Sequence, residues 1–302
     1  MGGSVQVFFV DPWYDIELAI REAEGAPFSI ESRAAIGGGC INECHVIRGG
    51  EHAYFVKTNA PGRAEMFAAE AAGLDEIGRT RTVRVPQPVC HGASPTASWI
   101  VLELLELQSP DDRGMRALGR NLAGLHRVTA KYYGWQRDNT IGSTPQTNTA
   151  SADWIAFWRE QRLGKQLDLA AAKGRGGRLL ERGRRLMEKL PVLFAGHVPA
   201  PSLLHGDLWS GNAGMTASGE PVIYDPAVYY GDREADLAMT ELFGGFPQSF
   251  YASYHAELPL DAGYATRKHL YNLYHVLNHL NLFGGSYGAQ AERIIGQLLA
   301  QA

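Results

Sequence analysis

Asp207 and Asn212 stand five positions apart in the run His205-Gly206-Asp207-Leu208-Trp209-Ser210-Gly211-Asn212, and Asp225 follows Asp207 by eighteen. An aspartate that accepts a hydroxyl proton, followed five residues later by an asparagine that binds a divalent metal, is the pattern of kinase catalytic loops. Asp225 comes directly after the apolar Val222-Ile223-Tyr224. A carboxylate leaving a buried strand there is placed to bind metal beneath a nucleotide's phosphates. Singly, each aspartate has an ordinary structural role, one capping a turn and the other ending a strand. In this order and at this spacing they predict phosphoryl transfer from ATP to a hydroxyl, with Asp207 as base and Asn212 and Asp225 holding Mg²⁺.

The same chemistry needs a phosphate cradle and a cation. Gly37-Gly38-Gly39 lies between two predicted strands, where backbone N–H groups without a Cβ can approach phosphate; a plain hairpin turn explains the glycines as well. Lys57 ends the strand segment Tyr54-Phe55-Val56-Lys57. Apolar neighbours oblige its ammonium to snorkel or to find an anion. Glu70, on the following predicted helix with Phe67 and Leu74 at helical spacing, is the expected partner, and Glu65 the competing one. The backbone of Glu103, Leu104 and Leu105 is expected to bind adenine.

These residues need elements to position them. Helical spacing predicts a helix over Trp13–Glu24, closed by Gly25. Strands are expected over 28–36, 41–47, 52–59, 88–91 and 99–105, with a helix over 64–77 between the third and fourth. From Pro110 the pattern turns helical: 115–126, 153–172, 178–190, 232–244, 250–257, 265–283 and 289–300. Short strands around 203–204 and 222–224 flank the Asp207 loop, and 134–150 reads as a loop, with 142–148 either a lid or an ordered strap. The expected class is α+β with two lobes, a small five-stranded antiparallel lobe with one helix (1–105) that binds nucleotide. The larger, mainly helical lobe (106–302) carries the catalytic loop and substrate site, with a cleft and a hinge near 103–107.

Composition narrows the setting. The 302 residues are 45% apolar and 20% charged, ordinary for a globular chain, and a net charge of −4 gives no reason to expect nucleic acid or an anionic membrane. No run of about 18 apolar residues offers a membrane span, and no leader pattern is visible. Three cysteines, Cys40, Cys44 and Cys90, fit a reducing cytoplasm better than a disulfide framework, and the Cys40–Cys44 spacing is only a fragment of a zinc site.

From about Ile36 to Tyr287 the chain resembles the fructosamine/ketosamine kinase family, a branch of the aminoglycoside-phosphotransferase-like kinases. The resemblance is carried by Gly38-Gly39-Cys40-Ile41-Asn42-Glu43, Phe55-Val56-Lys57, Glu65-Met66-Phe67 leading to Glu70, and Leu203 to Asn212. It continues in Asp225-Pro226-Ala227, Gly231 to Met239 and the tail Leu277-Asn278-His279-Leu280-Asn281. It implies a protein-kinase-like two-lobe fold and phosphorylation of the 3-hydroxyl of a ketosamine, a fructosamine or ribulosamine on a small-molecule or protein-bound amine, as a step in deglycation. It adds Asn42 to the nucleotide set and implies substrate roles for Trp209, Asp232 and His279, with Asn278 and Asn281 in one polar wall. Trp209 is alternatively a core anchor, and Asp232 alternatively a helix cap. Asp236 is expected to hold the catalytic loop, and Cys40 is either a redox-sensitive thiol or a small residue in a turn. Two other activities stay open: a kinase of an aminoglycoside, choline or similar amino alcohol, and a non-catalytic nucleotide-binding module. Either a monomer or a homodimer suits the sequence.

Overall fold

The computed structural model describes residues 11–37 and 41–302. Gly38, Gly39 and Cys40, three of the residues expected to act at the glycine turn, lie outside the described residues. The chain divides into two compact units, one of Met1–Asp75 with Pro86–Leu105 and one of Glu76–Val85 with Glu106–Ala302.

In the first unit, helix α1 (Pro12–Glu24) starts where Asp11 accepts the Trp13 N–H, and it stops at Gly25 in the left-handed region (φ 65°). Strands β1 (Ser32–Ile36), β2 (Glu43–Gly49), β3 (His52–Asn59), β4 (Pro88–Ala93) and β5 (Ser98–Glu103) form an antiparallel sheet in the order β1-β2-β3-β5-β4, with helix α2 (Ala64–Thr80) between β3 and β4. Ile16 and Ile20 of α1 pack with Ile47, Tyr54, Val56, Trp99 and Val101 on one face of the sheet. Side chains alternate along a strand, so Lys57 points to the opposite face from Val56. Its register partners are Cys44 on β2 and Ile100 on β5.

The second unit opens with β6 (Leu107–Gln108) and α3 (Asp112–His126), the latter capped by Asp111 accepting from Gly114 N at 2.7 Å. Segment 134–150, expected as a loop with 142–148 either a lid or an ordered strap, contains the hairpin β7 (Asn139–Ile141) and β8 (Thr144–Gln146). It is an ordered strap, because its polar side chains are satisfied inside the fold. Asn139 Nδ2 donates to Val228 O at 2.8 Å, and Gln146 Nε2 to Ala227 O at 3.1 Å. Buried Arg162 donates to Thr147 O and to Asn148 Oδ1, each at 2.7 Å. The expected helix over 153–172 is interrupted: α4 (Trp154–Phe157) and α5 (Lys165–Ala172) are joined by a π-helical stretch, Trp158–Gly164, which carries Arg162.

After α6 (Arg178–Leu193) come β9 (Ser202–Leu204), β10 (Ala213–Thr216), β11 (Pro221–Ile223) and β12 (Tyr229–Gly231). β10 lies between β11 and β6, and β9 pairs with β12. Helices α7 (Glu234–Leu242), α8 (Gln248–Glu257), α9 (Tyr264–Phe283) and α10 (Tyr287–Gln301) complete the unit. α9 is buried along most of its length, including Asn272, His275, Asn278 and Asn281. Among the described residues no helix is long and apolar enough to cross a membrane.

Candidate active site

The segment between β9 and β10 is the Asp207 loop, and its shape is imposed from three sides. Gly206 sits at φ 84°, and a Cβ there would lie 2.1 Å from the Ala227 carbonyl oxygen, so only glycine lets the two backbones meet. Asp236, on α7, takes two consecutive amides of the loop: His205 N–H on Oδ2 at 2.7 Å and Gly206 N–H on Oδ1 at 2.8 Å. His126 Nε2 contacts the same Oδ2 at 3.2 Å, and His126 Nδ1 meets Tyr254 OH at 2.8 Å. Burial opposes the Asp236 charge, yet the bond and field of His126, the field of His205 and the amide of Gly206 together lower its pKa.

His205 fixes the next residue. Its Nε2–H donates to Tyr224 O at 2.9 Å, which leaves Nδ1 as acceptor for the Asp207 N–H at 3.2 Å. Burial lowers the pKa of this imidazole and keeps it in that neutral tautomer. The Asp207 carboxylate has its own pKa raised to about 7, first by burial and then by the charges of Asp225 and Asp236.

Asn212 donates from Nδ2 to the Asp207 carbonyl at 2.9 Å. That bond commits the amide nitrogen, so the oxygen, which accepts nothing from the described residues, is the atom left to a ligand. Asp225, just past β11, adopts a left-handed conformation (φ 58°) that a non-glycine residue rarely takes, and its side chain is exposed. An amide oxygen and a carboxylate make an all-oxygen donor set, which fits magnesium.

Trp209 is half-buried, with its ring over Gly211 and edge-on to Phe243 at 6.1 Å. Phe243 in turn meets His279 at 4.8 Å. His279 is partly exposed, and its Nδ1–H donates to the His275 carbonyl at 2.8 Å. Trp209 and His279 therefore share one aromatic cluster next to Asp207.

Asp232 does not belong to that cluster. The expectation of a substrate contact is corrected by its burial, 1% exposed, and by its bonds. Oδ1 accepts from Glu234 N at 3.0 Å, and Oδ2 from Tyr271 OH at 2.5 Å and His197 Nε2 at 2.7 Å. It precedes α7 and holds that helix start in the core. Asn278 and Asn281 are likewise no pocket wall: both bond Gln166 on α5, Asn281 by Nδ2–H to Gln166 Oε1 at 2.8 Å. His197, Glu234 and Asp261 converge as three metal-type donors, but Arg267 occupies them, donating to both oxygens of Glu234 at 2.7 Å and to Asp261 at 2.7 Å.

In the first unit, Lys57 is 4% exposed and its Nζ donates to Glu70 Oε1 at 2.7 Å. A buried ammonium oriented by a carboxylate is chemistry suited to an anion such as a nucleotide phosphate. Asn42 Oδ1 accepts from Asn59 Nδ2 at 2.8 Å, which ties the end of the glycine turn to β3. Gly37 is exposed, with open space around its Cα. Glu103 ends β5, where its N–H donates to Gln87 O at 2.9 Å, and Leu104 and Leu105 continue beyond the strand, half-buried.

Sequence reasoning missed His126 and His275. His126 carries a helical signal only, at the buried end of α3. His275 lies four residues before His279, one turn away on the same helix face, and that spacing was the available clue.

The fructosamine kinase family profile matches residues 12–301. A probable ketoamine kinase of Synechocystis is 48% identical over 289 residues, covering 95% of this chain and 97% of that protein. The chloroplastic protein-ribulosamine 3-kinase of Arabidopsis thaliana is 45% identical, covering 93% and 87%. A crystal structure from Haemophilus somnus described as a fructosamine-3-kinase superposes with a TM-score of 0.88 at 30% identity, covering 96% of this chain and all of that one. The architecture is kinase-like: an aminoglycoside phosphotransferase shares it at TM-score 0.61 and 14% identity, over 94% of this chain and 98% of the other, a likeness of fold alone. With one family profile spanning both units, the chain belongs to the fructosamine kinase family.

Proposed function

We propose that the chain is an ATP-dependent kinase that phosphorylates the 3-hydroxyl of a ketosamine, a fructosamine or ribulosamine, on a free or protein-bound amine. The observation that carries this reading is the Asp207 loop, with its base, its uncommitted amide oxygen at Asn212 and its double amide clamp at Asp236. The ketosamine acceptor rests on membership of the family and on what its relatives are named for.

In the mechanism, Lys57, kept in place by Glu70, binds the phosphates of ATP, with the glycine turn around Gly37 as cradle and the backbone of Glu103 to Leu105 on adenine. Residues 1–105 are thus the nucleotide-binding lobe and 106–302 the catalytic one. Asn212 Oδ1 and the Asp225 carboxylate would hold magnesium, which when bound would neutralise charge on the phosphates. Asp207 accepts the proton of the acceptor hydroxyl; that oxygen bonds to the γ-phosphorus, and the bond from phosphorus to the ADP leaving oxygen breaks. Trp209 and His279 contact the sugar. Asp207 is the single proton acceptor, and the remaining residues position and stabilise charge. The protein is placed in the cytoplasm on its cysteine usage.

Asp207→Ala is expected to reduce acceptor-dependent ATP turnover by about 10²-fold or more, the contribution of a positioned base, while nucleotide affinity persists. Turnover is measured on a ribulosamine, a fructosamine and kanamycin, with the phosphorylated carbon mapped by NMR. Kanamycin as the preferred acceptor, or undiminished turnover in the variant, would reject the reading.

A further inference from the structure

His275 Nδ1 stands 3.9 Å from Asp207 Oδ1. That gap exceeds a hydrogen bond, whose outer limit is about 3.5 Å, so the two groups face each other without bonding. The His275 side chain is also buried, the whole residue being 4% exposed. Its backbone carbonyl is taken by His279 Nδ1, yet neither of its own ring nitrogens has a hydrogen-bond partner among the described residues. A polar side chain buried to this degree normally finds one. Here the imidazole aims at the carboxylate that takes the acceptor proton.

We infer that His275 determines acceptor specificity by forming, with Asp207, a two-pronged fork for vicinal oxygens: Asp207 takes the hydroxyl to be phosphorylated, and the His275 Nδ1–H donates to the oxygen on the adjacent carbon. This inference rests on the ketosamine reading, in which that neighbouring oxygen is the C2 carbonyl. The spacing suits two roughly parallel hydrogen bonds of about 2.7–3.0 Å better than one direct contact. The imidazole is held neutral: burial, the neighbouring His279 and Arg162 push its pKa down to about 3, against a smaller opposing effect of Asp236. A neutral ring has one N–H, and the facing carboxylate favours that proton on Nδ1. The ring is edge-on to Tyr274 at 5.2 Å, and Tyr274 OH donates to Gln146 Oε1 at 2.7 Å, so the strap hairpin helps set the prong. A carbonyl acceptor suits a fixed donor, and an acceptor lacking the vicinal oxygen would leave that N–H buried and unpaired.

The test compares a ketosamine with its analogue bearing no oxygen on the carbon next to the acceptor hydroxyl. One hydrogen bond corresponds to about a 10-fold effect. Wild-type enzyme is expected to lose about 10-fold in kcat/KM on the analogue, and His275→Ala about 10-fold on the ketosamine with no further loss on the analogue. His275→Asn, whose amide nitrogen takes the Nδ1 position, should restore turnover and discrimination. His275→Gln, whose amide reaches the Nε2 position, should not, and it replaces the alanine variant if that one fails to fold. Equal losses on both substrates, or an asparagine variant as impaired as the alanine one, overturn the fork and leave the kinase reading standing. No ketosamine turnover by the wild type overturns the acceptor instead. A His275-dependent preference for another vicinally oxygenated acceptor would then keep the fork alone.

Discussion

Lys57 and Glu70 set the terms at the scale of single residues. Their side chains are 5% and 12% exposed, and burying an ammonium is tolerable only beside a fixed anion. Removing one member of such a pair costs far more than the pair contributes, because it strands the other. Glu70→Ala is therefore expected to lower unfolding free energy by about 3 kcal/mol in urea titrations and to weaken ATP binding. Lys57→Met with Glu70→Leu should recover much of the stability and none of the binding. A single Glu70 variant as stable as wild type would mean that other groups hold the ammonium.

At the scale of elements, the Asp207 loop depends on α7 more than on its own strands. β9 contributes three residues and β10 four, while Asp236 supplies an acceptor for each of two loop amides. Asp236→Asn keeps the shape but turns one acceptor into a donor facing an N–H. It is expected to cut kcat by about 10²-fold, the cost of displacing a reacting group by roughly 1 Å, with a smaller change in nucleotide affinity. Steady-state kinetics separate the two; unchanged kcat would show that the Ala227–Gly206 contact shapes the loop alone.

At the scale of the whole molecule, the ionic cluster of the second unit joins segments far apart in the chain. His197 Nδ1 meets Asp261 at 3.0 Å and its Nε2 meets Asp232 at 2.7 Å. Burial opposes the imidazolium, but the bond and field of Asp232, then the field of Glu234, outweigh it and raise the His197 pKa above 6.5. Burial also opposes the Asp261 charge, and Arg267, the Gly263 amide and His197 nevertheless lower its pKa to about 2. A raised histidine pKa stabilises below the unfolded value and loses that contribution as pH climbs through the folded one. A lowered aspartate stabilises above its unfolded value and fails as pH falls through about 2. Stability from this cluster should thus be fullest between about pH 4 and 6.5 and decline above it. His197→Asn should flatten the decline in melting temperature above pH 6.5; an unchanged slope would mean that His197 does not titrate with folding.

Asp207, Asn212, Asp225 and Lys57 could be singled out in the sequence because the chemistry proposed for them is a matter of residue type and spacing along the chain. The strands and helices around them were legible from periodicity, since alternation and helical repeats are local. Other features depend on partners remote in the chain, and no local pattern reports them. Asp232 looked like a substrate contact until Tyr271 and His197 closed over it. Segment 134–150 read as a loop, lid or strap alike, and the hydrogen bonds of Asn139 and Gln146 to the carbonyls of Val228 and Ala227 make it a strap. His275 has no motif of its own, and it enters the site only because α9 brings it to 3.9 Å from Asp207. The sequence by itself determined which groups to propose as reacting ones, because that proposal is a matter of functional group and order. Tertiary structure decided which polar groups are spent on the fold and which are left to meet a substrate, because hydrogen-bond satisfaction in a buried site depends on the whole packed neighbourhood.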